Sequence, residues 1–407
     1  MKILFLIFSF TQIFYLKNGV PVIYKKIEGI NCASVAIFFN YGSLKYEKGM
    51  DGIEYFSLNA ICEGTMKNPY PEFEKILIKE GIQKKIIATH DFSAIIFKSP
   101  LKSFKKSIEL LYEVLSKPEL KKERVEVVRN FLISKAKRKL EEPDEKLFTL
   151  LDSIFYFNHP YDFEPEGKIN TLKKFKIEDI KKFLENNFHA NGIIIGIASP
   201  LDKEEILPFL NDSFGKIPEK ELNLRELKDF IPRDTLFHFK EPNYKTSYIA
   251  CKFPIPSIED RDFIYVLALL EILSNRFEEK VRIKEGLSYS VYAGFPFKRK
   301  NYGYFYVSSS YPDSAWKLMM EEVERIKNEG VSNKEIKGVL NIFKTYRFLR
   351  NAATDLTILN SLISYILTQN PNYIDSLILN IEKIDKEKIK EVANKYLKNF
   401  TILKITP

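Results

Sequence analysis

Residues 52–65, which read GIEYFSLNAICEGT, have the residue spacing of a metal site but not its chemistry. Tyr55 and Asn59 are four residues apart, so in a helix they share one face, as two zinc ligands from one helix must. Their neutral phenol and amide oxygens are nevertheless poor zinc ligands. Leu58 has no proton acceptor that could activate a metal-bound water. We therefore expect no metal chemistry from these three side chains.

The neighbouring sequence predicts the elements that position them. The apolar run CASVAIFF, which ends at Phe39, predicts a buried strand. A turn-forming segment with three glycines follows at 40–52, and a helix is expected to open near Gly52. The predicted order is therefore a buried strand, a loop and then the helix that carries the three side chains.

The whole passage from Val35 to Thr65 resembles the pitrilysin/insulinase family of zinc metallopeptidases, which includes the mitochondrial processing peptidases. In that family this helix carries an inverted zinc motif, His-x-x-Glu-His, between the same glycines. The three motif positions fall here on Tyr55, Leu58 and Asn59. The resemblance therefore implies a family member that has lost its own metal site.

The third ligand position fails as well. The resemblance implies a glutamate roughly two helices downstream, and counting forward reaches the basic stretch LISKAKRKLEEPDE near Lys135 or Ala136. No acid is present there, because Glu141 and Glu142 come later. Since three positions fail independently, an error of register does not explain the loss. We expect an N-terminal half that binds no zinc.

A second family pattern is retained in the segment 278–295, which reads EEKVRIKEGLSYSVYAGF. Arg282 and Tyr289 are seven residues apart with a Gly-Leu step between them, as in the family. The resemblance implies that this pair faces the zinc across an enclosed chamber, holds the substrate backbone and stabilises the developing oxyanion. A guanidinium offers fixed, charged donors to carbonyl oxygens, and a phenol donates one hydrogen bond to charge that grows in the transition state.

Other interpretations of this pair stay open at the level of sequence. Arg282 could balance the dipole at a helix C-terminus, and Tyr289 could be an interior strand residue beside Tyr292.

Two further positions depart from the family. The segment LLEILSNRF at 269–277 contains no glycine, whereas the non-catalytic subunits of processing peptidases carry a glycine-rich loop there. The family's Asn-Ala pair, on a strand that accepts peptide as an added strand, is replaced by Lys85-Ile86.

The chain is predicted to be a tandem repeat of one α/β unit of about 200 residues. CASVAIFF has a counterpart in TSYIACKF near residue 246, and two similar helix–strand segments contain Ile180 and Ile389. We expect an α+β fold with two homologous domains, and the family resemblance implies a mostly antiparallel sheet packed with helices in each. The predicted segments are a possible short signal peptide at 1–13, domains at 14–215 and 234–407, and a polar linker at 216–233.

Composition excludes several classes of protein. Hydrophobic residues at 45% and charged residues at 29% are typical of a globular protein, and after the first residues no stretch approaches the roughly 20 apolar residues of a membrane helix. The net charge of +9 is spread along the chain without a nucleic-acid-binding motif, so no nucleic-acid partner is expected. The apolar N-terminal run slightly favours a periplasmic or cell-envelope location.

Some members of the family work as heterodimers, and the resemblance, with the zinc positions lost and the Arg/Tyr positions kept, implies the non-catalytic subunit of such a zinc metallopeptidase. Such a subunit binds peptide substrates and supplies Arg282 and Tyr289 in trans to a homologous, zinc-bearing subunit. No cofactor is expected on this chain itself, and zinc is expected in the partner. The alternative is a peptide-binding or assembly scaffold that takes no part in catalysis.

Overall fold

The computed structural model describes residues 10–222, 224–227, 229–230, 232, 234–350, 353–380 and 384–407. By its internal contacts the chain divides into two compact units. Unit 1 comprises 1–136, 163–226 and 349–374, and unit 2 comprises 137–162, 227–348 and 375–407.

The strands form one sheet in each unit. In chain order, β1 to β11 are Gln12–Tyr15, Pro21–Lys26, Cys32–Asn40, Gln83–Ala88, Phe92–Pro100, Ile193–Ser199, Thr235–Lys240, Ser247–Pro254, Ser290–Gly294, Tyr302–Ser309 and Thr401–Thr406. The sheet of unit 1 has the order β1-β2-β6-β3-β5-β4, and that of unit 2 has the order β7-β11-β8-β10-β9. Among the described strands, only the pairs β2–β6 and β7–β11 are parallel.

The helices cover these sheets. In chain order, α1 to α14 are Ile53–Ile61, Glu72–Glu80, Phe104–Ser116, Lys122–Glu141, Pro143–Phe155, Ile169–Leu172, Ile177–Asn187, Lys203–Ser213, Phe263–Phe277, Pro312–Glu329, Asn333–Arg350, Thr354–Thr368, Tyr373–Asn380 and Lys386–Tyr396. Short 3-10 helices occur at Gly42–Lys45, Leu101–Ser103 and Phe214–Lys216, and a π-helix at Glu278–Lys284 continues α9. Within the described residues no helix is both long enough and apolar enough to cross a membrane.

The two sheets confirm the predicted duplication. Replacing β2 to β6 by β7 to β11, in sequence order, converts the order β2-β6-β3-β5-β4 into β7-β11-β8-β10-β9. The parallel pair occupies the same place in both, and β1 is an addition at one edge of unit 1. Each half of the chain is thus a mostly antiparallel sheet packed with helices, as expected.

The central strand β3 is apolar along its length because both of its faces are covered. Successive side chains point to opposite faces of a strand. Ile37 and Phe39 belong to the main core of unit 1 on one face, whereas Phe38 packs with Ile358 and Leu362 of α12 on the other. A strand buried on both sides reads as a continuous apolar run, which is what CASVAIFF is.

Each sheet has one face covered by a helix that comes from the other half of the sequence. Helix α12 follows residue 350 but packs on the sheet of unit 1, and α5 precedes residue 160 but packs on the sheet of unit 2. The compact units therefore interleave along the chain, unlike the contiguous segments 14–215 and 234–407. The division at the linker 216–233 stays a prediction about where the duplicated segments meet.

The N-terminal prediction is only partly within the structure. Residues 1–9 of the predicted signal peptide lie outside the described residues. Gln12 and Ile13 belong to β1, where they pair with Tyr24 and Ile23. Of the predicted linker, residues 223, 228, 231 and 233 also lie outside the described part.

Candidate functional site

Helix α1 carries the three positions of the lost zinc motif. It begins directly after Gly52, whose φ of +85° is a conformation that glycine adopts without strain. Tyr55 and Leu58 are buried in the core of unit 1. Asn59 is half-buried, and its side-chain amide donates to the Tyr55 carbonyl oxygen at 2.7 Å. The amide is thus occupied by its own helix.

Lys135 of α4 is bonded to the first of these positions. Its ammonium Nζ donates to the Tyr55 phenol oxygen at 2.9 Å and to Glu166 Oε1 at 2.7 Å. The sequence predicts the third ligand position near Lys135 or Ala136, so this cation lies close to the place where the family resemblance implies a glutamate. Burial alone would lower the pKa of Lys135, but the hydrogen bonds to Glu166 and Tyr55 outweigh it and raise that pKa. The ammonium therefore stays charged.

The loop that supplies Glu166 is tied to the start of α1 through Asp51. The Asp51 carboxylate accepts from the backbone N–H of Glu164 at 2.9 Å and pairs with the Lys168 ammonium at 2.9 Å. Its carbonyl oxygen accepts from the Thr171 hydroxyl at 2.7 Å. Segment 164–171 is therefore held against α1 at both ends, with Glu166 between them.

Two glycines allow this close approach. A Cβ atom on Gly52 would lie 2.3 Å from the Gly167 Cα, a distance that real Cβ atoms do not show. Gly167 itself has a φ of +96°, and a Cβ there would lie 2.7 Å from Leu172. Because only glycine fits either position, the backbone of the loop contacts the beginning of α1, and Glu166 comes within reach of Lys135.

The residues at these positions do not fit a zinc ion. Zinc requires nitrogen, sulfur or carboxylate donors. Here the positions hold a phenol bonded to an ammonium, a buried leucine and an amide bonded to its own helix. In the part of the chain that the structure describes, no three His, Cys, Asp or Glu side chains form a group that could hold a metal.

The retained Arg and Tyr positions lie in unit 2, at the end of α9. Arg282 is in the π-helix, where its half-exposed side chain pairs with Glu278 at 2.8 Å. Tyr289 comes immediately before β9 and is 93% exposed, so it is not an interior strand residue. The Ser309 hydroxyl donates to the Leu287 carbonyl oxygen at 2.6 Å, which fixes the loop between the two residues. Both side chains are accessible to a ligand.

Sequence reasoning missed the residue that anchors α9. Arg276 is buried, and its guanidinium donates to Glu335 Oε1 at 2.7 Å and to the Gly330 carbonyl oxygen at 3.0 Å. Burial alone would raise the pKa of Glu335, but hydrogen bonds from Arg276 and Ser332 lower it to about 2. Arg276 thereby ties the helix that leads to Arg282 to the start of α11. An arginine near the end of a mostly apolar helix was the available signal.

The Lys85-Ile86 pair lies on β4, the outermost strand of the unit 1 sheet. β4 pairs with β5 on one side, and among the described strands it has no neighbour on the other. An unpaired strand edge presents backbone N–H and C=O groups to which an extended chain can add. The strand that carries this replaced pair therefore has an open edge among the described strands.

Comparison with protein families gives two matches that together span most of the chain. Residues 21–164 match the model described as Insulinase (Peptidase family M16). Residues 174–343 match the model described as Peptidase M16 inactive domain.

Individual proteins to which the chain is similar include a non-peptidase homolog and a peptidase subunit. The chain is 22% identical to a non-peptidase homolog, YmxG, of Helicobacter pylori over 94% of this chain and 89% of that protein. It is 23% identical to the beta subunit of the mitochondrial-processing peptidase of Saccharomyces cerevisiae, over 64% of this chain and 57% of that protein.

Solved structures with the same fold include a protease from Helicobacter pylori, with a TM-score of 0.88, 16% identity and coverage of 98% of this chain and 100% of that one. A peptidase M16 inactive domain from Pseudomonas fluorescens has a TM-score of 0.87 at 18% identity, with 98% of each chain covered. A chain of complex III2 from Candida albicans has a TM-score of 0.81 at 14% identity, covering 97% of this chain and 96% of that one.

Proposed function

The chain belongs to the insulinase family, peptidase family M16, as a non-catalytic member, and on this basis we propose that it is the substrate-binding subunit of a heterodimeric zinc metallopeptidase. In this proposal zinc is held by a homologous partner subunit with an intact His-x-x-Glu-His motif. This chain contributes Arg282 and Tyr289 to the peptide that the partner cleaves.

The observation that carries the proposal is the accessibility of the Arg/Tyr pair. A tyrosine that served only to pack a core would be buried, but Tyr289 is 93% exposed. Arg282 is half-exposed. In the described contacts its guanidinium donates through one nitrogen, Nη1, to Oε1 of an equally exposed glutamate, Glu278. An exposed ion pair of this kind contributes little free energy. The guanidinium can therefore exchange Glu278 for a peptide carbonyl oxygen.

The proposed chemistry follows from the two side chains. The Arg282 guanidinium keeps its charge and presents donors in a fixed plane, so it can hold the backbone of an extended peptide. The Tyr289 hydroxyl donates a single hydrogen bond to an oxygen that gains negative charge as the peptide bond is attacked. One such donor contributes about 2.7–4 kcal/mol to stabilisation of the transition state. Zinc, when bound in the partner, supplies the activation of water.

The free edge of β4 supports the peptide-binding part of this proposal. An extended peptide that added to β4 would form backbone hydrogen bonds, which depend little on its sequence. Lys85 and Ile86, on this strand, would then determine which side chains the peptide can place beside it.

The proposal is tested by mixing this chain with a zinc-bearing homologue encoded in the same genome. We expect hydrolysis of a fluorogenic peptide that neither chain supports alone. In the mixture, Tyr289→Phe is expected to lower kcat by about 100-fold because a transition-state donor is lost. Tyr311→Phe is the matched control, since Tyr311 is also exposed in unit 2, and it should leave kcat unchanged.

Arg282→Ala is expected to raise KM in the same mixture, because it removes a contact made to the bound peptide. Arg261→Ala, which removes another exposed arginine of unit 2, serves as its control. Unchanged kinetics in both Tyr289→Phe and Arg282→Ala would contradict a role of the pair in the partner's reaction.

An assembly scaffold is the second candidate function. The occurrence of this fold in a chain of complex III2, with a TM-score of 0.81, favours it because that protein is part of a multisubunit complex. A scaffold predicts a stable complex with the homologue in which Arg282→Ala and Tyr289→Phe change neither kcat nor KM. The same kinetic experiment therefore distinguishes the two functions.

A further inference from the structure

We propose that the Lys135 ammonium is a binding site for a carbonyl oxygen of a bound peptide, at the position from which zinc has been lost. The inference rests on the peptide-binding role proposed above. It assigns a ligand to a residue outside the Arg/Tyr pair, in unit 1. Its physical basis is that a fixed positive charge remains where a carboxylate ligand was expected.

The ammonium has unused hydrogen-bonding capacity. A lysine side chain offers three N–H donors and no acceptor. In the described contacts Lys135 uses two of them, one to the Tyr55 phenol oxygen at 2.9 Å and one to Glu166 Oε1 at 2.7 Å. One donor therefore remains for an incoming oxygen.

The surroundings hold this cation in place but leave it accessible. The ammonium lies 4.7 Å from the centroid of the Tyr55 ring, and Tyr55 is buried. Glu166 is held by the Gly52–Gly167 contact and by Asp51. The Lys135 side chain is nevertheless 31% exposed. A donor that Tyr55 and Glu166 already hold in place, and that is still partly exposed, loses little conformational entropy when it binds a ligand.

The local charge favours a neutral oxygen over an anionic one. The positive charge of Lys135 is balanced by the negative charge of Glu166 at 2.7 Å. A peptide carboxylate that approached Lys135 would be repelled by Glu166 at short range. A backbone carbonyl oxygen can accept the remaining N–H without that repulsion, so the site fits an internal segment of a peptide.

Helix α4 also presents apolar surface next to the ammonium. Phe131 lies one helical turn before Lys135 and is 60% exposed, and Val127 lies one turn earlier and is also exposed. Residues four apart on a helix are neighbours on its surface. An extended peptide whose carbonyl reaches Lys135 can therefore place an apolar side chain against Phe131 and Val127.

The test measures binding of a fluorescein-labelled peptide with alternating Leu and Ser and blocked ends, by fluorescence anisotropy. Lys135→Met keeps the length of the side chain but removes the charge, and we expect the Kd to rise about tenfold because a charge-assisted hydrogen bond is lost. Lys137→Met, at an exposed lysine on the same helix, should leave the Kd unchanged. A peptide with a free C-terminal carboxylate should bind no more tightly than the blocked one.

Glu166→Gln separates binding from structural support. It removes the negative charge but keeps an oxygen that can accept from the Lys135 ammonium, so the Kd should stay the same or fall. This variant also decides the matter if Lys135→Met does not fold. Equal binding by wild type and a folded Lys135→Met, or loss of binding in Glu166→Gln, would overturn the carbonyl site while leaving the proposed function intact. No binding by the wild-type chain would overturn both.

Discussion

Lys252 shows at the scale of one residue how a charge can be held in the core of unit 2. Its side chain has no exposed surface, its ammonium pairs with Asp152 of α5, and it lies 4.0 Å from the centroid of the Tyr302 ring. Burial lowers the pKa of Lys252 to about 8, although Asp152 opposes the shift. The ordinary value is 10.5, so the unfolded chain binds this proton over a range of pH in which the folded chain releases it.

Replacement of Lys252 by Met is therefore expected to change the pH dependence of stability. Because the folded pKa is depressed, the stability linked to Lys252 is present above pH 10.5 and is lost as the pH falls through about 8. The variant Lys252→Met should gain stability relative to wild type at pH 7 compared with pH 11, because at pH 7 wild type carries a cation that burial disfavours although it pairs with Asp152. The gain between the two pH values should be roughly 3 kcal/mol.

Urea denaturation at several pH values measures this difference. Lys317→Met, which removes an exposed lysine of α10, is the control and should show no such dependence. A constant difference between wild type and Lys252→Met across the range would contradict the assignment of a depressed pKa to Lys252.

Gly196 sets the packing of an element, helix α12, on the sheet of unit 1. A Cβ atom at Gly196 would lie 2.3 Å from Leu362 Cδ1 and 2.6 Å from Ile358 Cγ1. Both side chains are fully buried in the layer between α12 and the sheet. The glycine in β6 is thus needed because the helix approaches the strand closely.

We expect Gly196→Ala to destabilise the protein by about 1–3 kcal/mol, since the added methyl group overpacks this layer. Amide hydrogen exchange should accelerate most in α12, because that helix is displaced. Gly338→Ala is the control: Gly338 lies in α11 with open space around its Cβ position, so the change should stabilise the helix by roughly 0.5–1 kcal/mol. Unchanged stability and exchange in Gly196→Ala would show that α12 adapts without cost.

At the scale of the whole molecule, the exchange of α5 and α12 makes each half of the sequence incomplete. A fragment covering 1–215 lacks α12, so its sheet would expose apolar side chains that include Phe38 and Ile194. A fragment covering 234–407 lacks α5, so the faces of Leu403 and Ile405 would be uncovered. Exposed apolar faces of this kind lead to association.

Each half expressed alone is therefore expected to aggregate or to unfold without cooperativity. Co-expression of the two halves should give a folded complex, because each supplies the helix that the other lacks. Size-exclusion chromatography and thermal melting measure both outcomes. Two monomeric halves that melt cooperatively by themselves would contradict the interleaved arrangement.

The amino-acid sequence determined the family, the duplication and the loss of the zinc motif. These features depend on local patterns: an apolar run, glycine positions, and residue types at fixed spacing such as Tyr55, Leu58 and Asn59. It also predicted a third ligand position near Lys135 or Ala136, and it identified the Arg282–Tyr289 spacing. Each of these can be read within a window of a few residues, because helices and strands place side chains with short periods.

Only the tertiary structure decided which distant residues complete the site. Glu166 reaches Lys135 because Gly52 and Gly167 bring a loop against α1, and no short-range pattern records that contact. The exchange of α5 and α12, the anchoring of α9 by Arg276 and the exposure of Tyr289 likewise depend on packing between segments far apart in sequence. Burial and partner choice are properties of the folded chain, since they follow from which surfaces are left after all elements have packed.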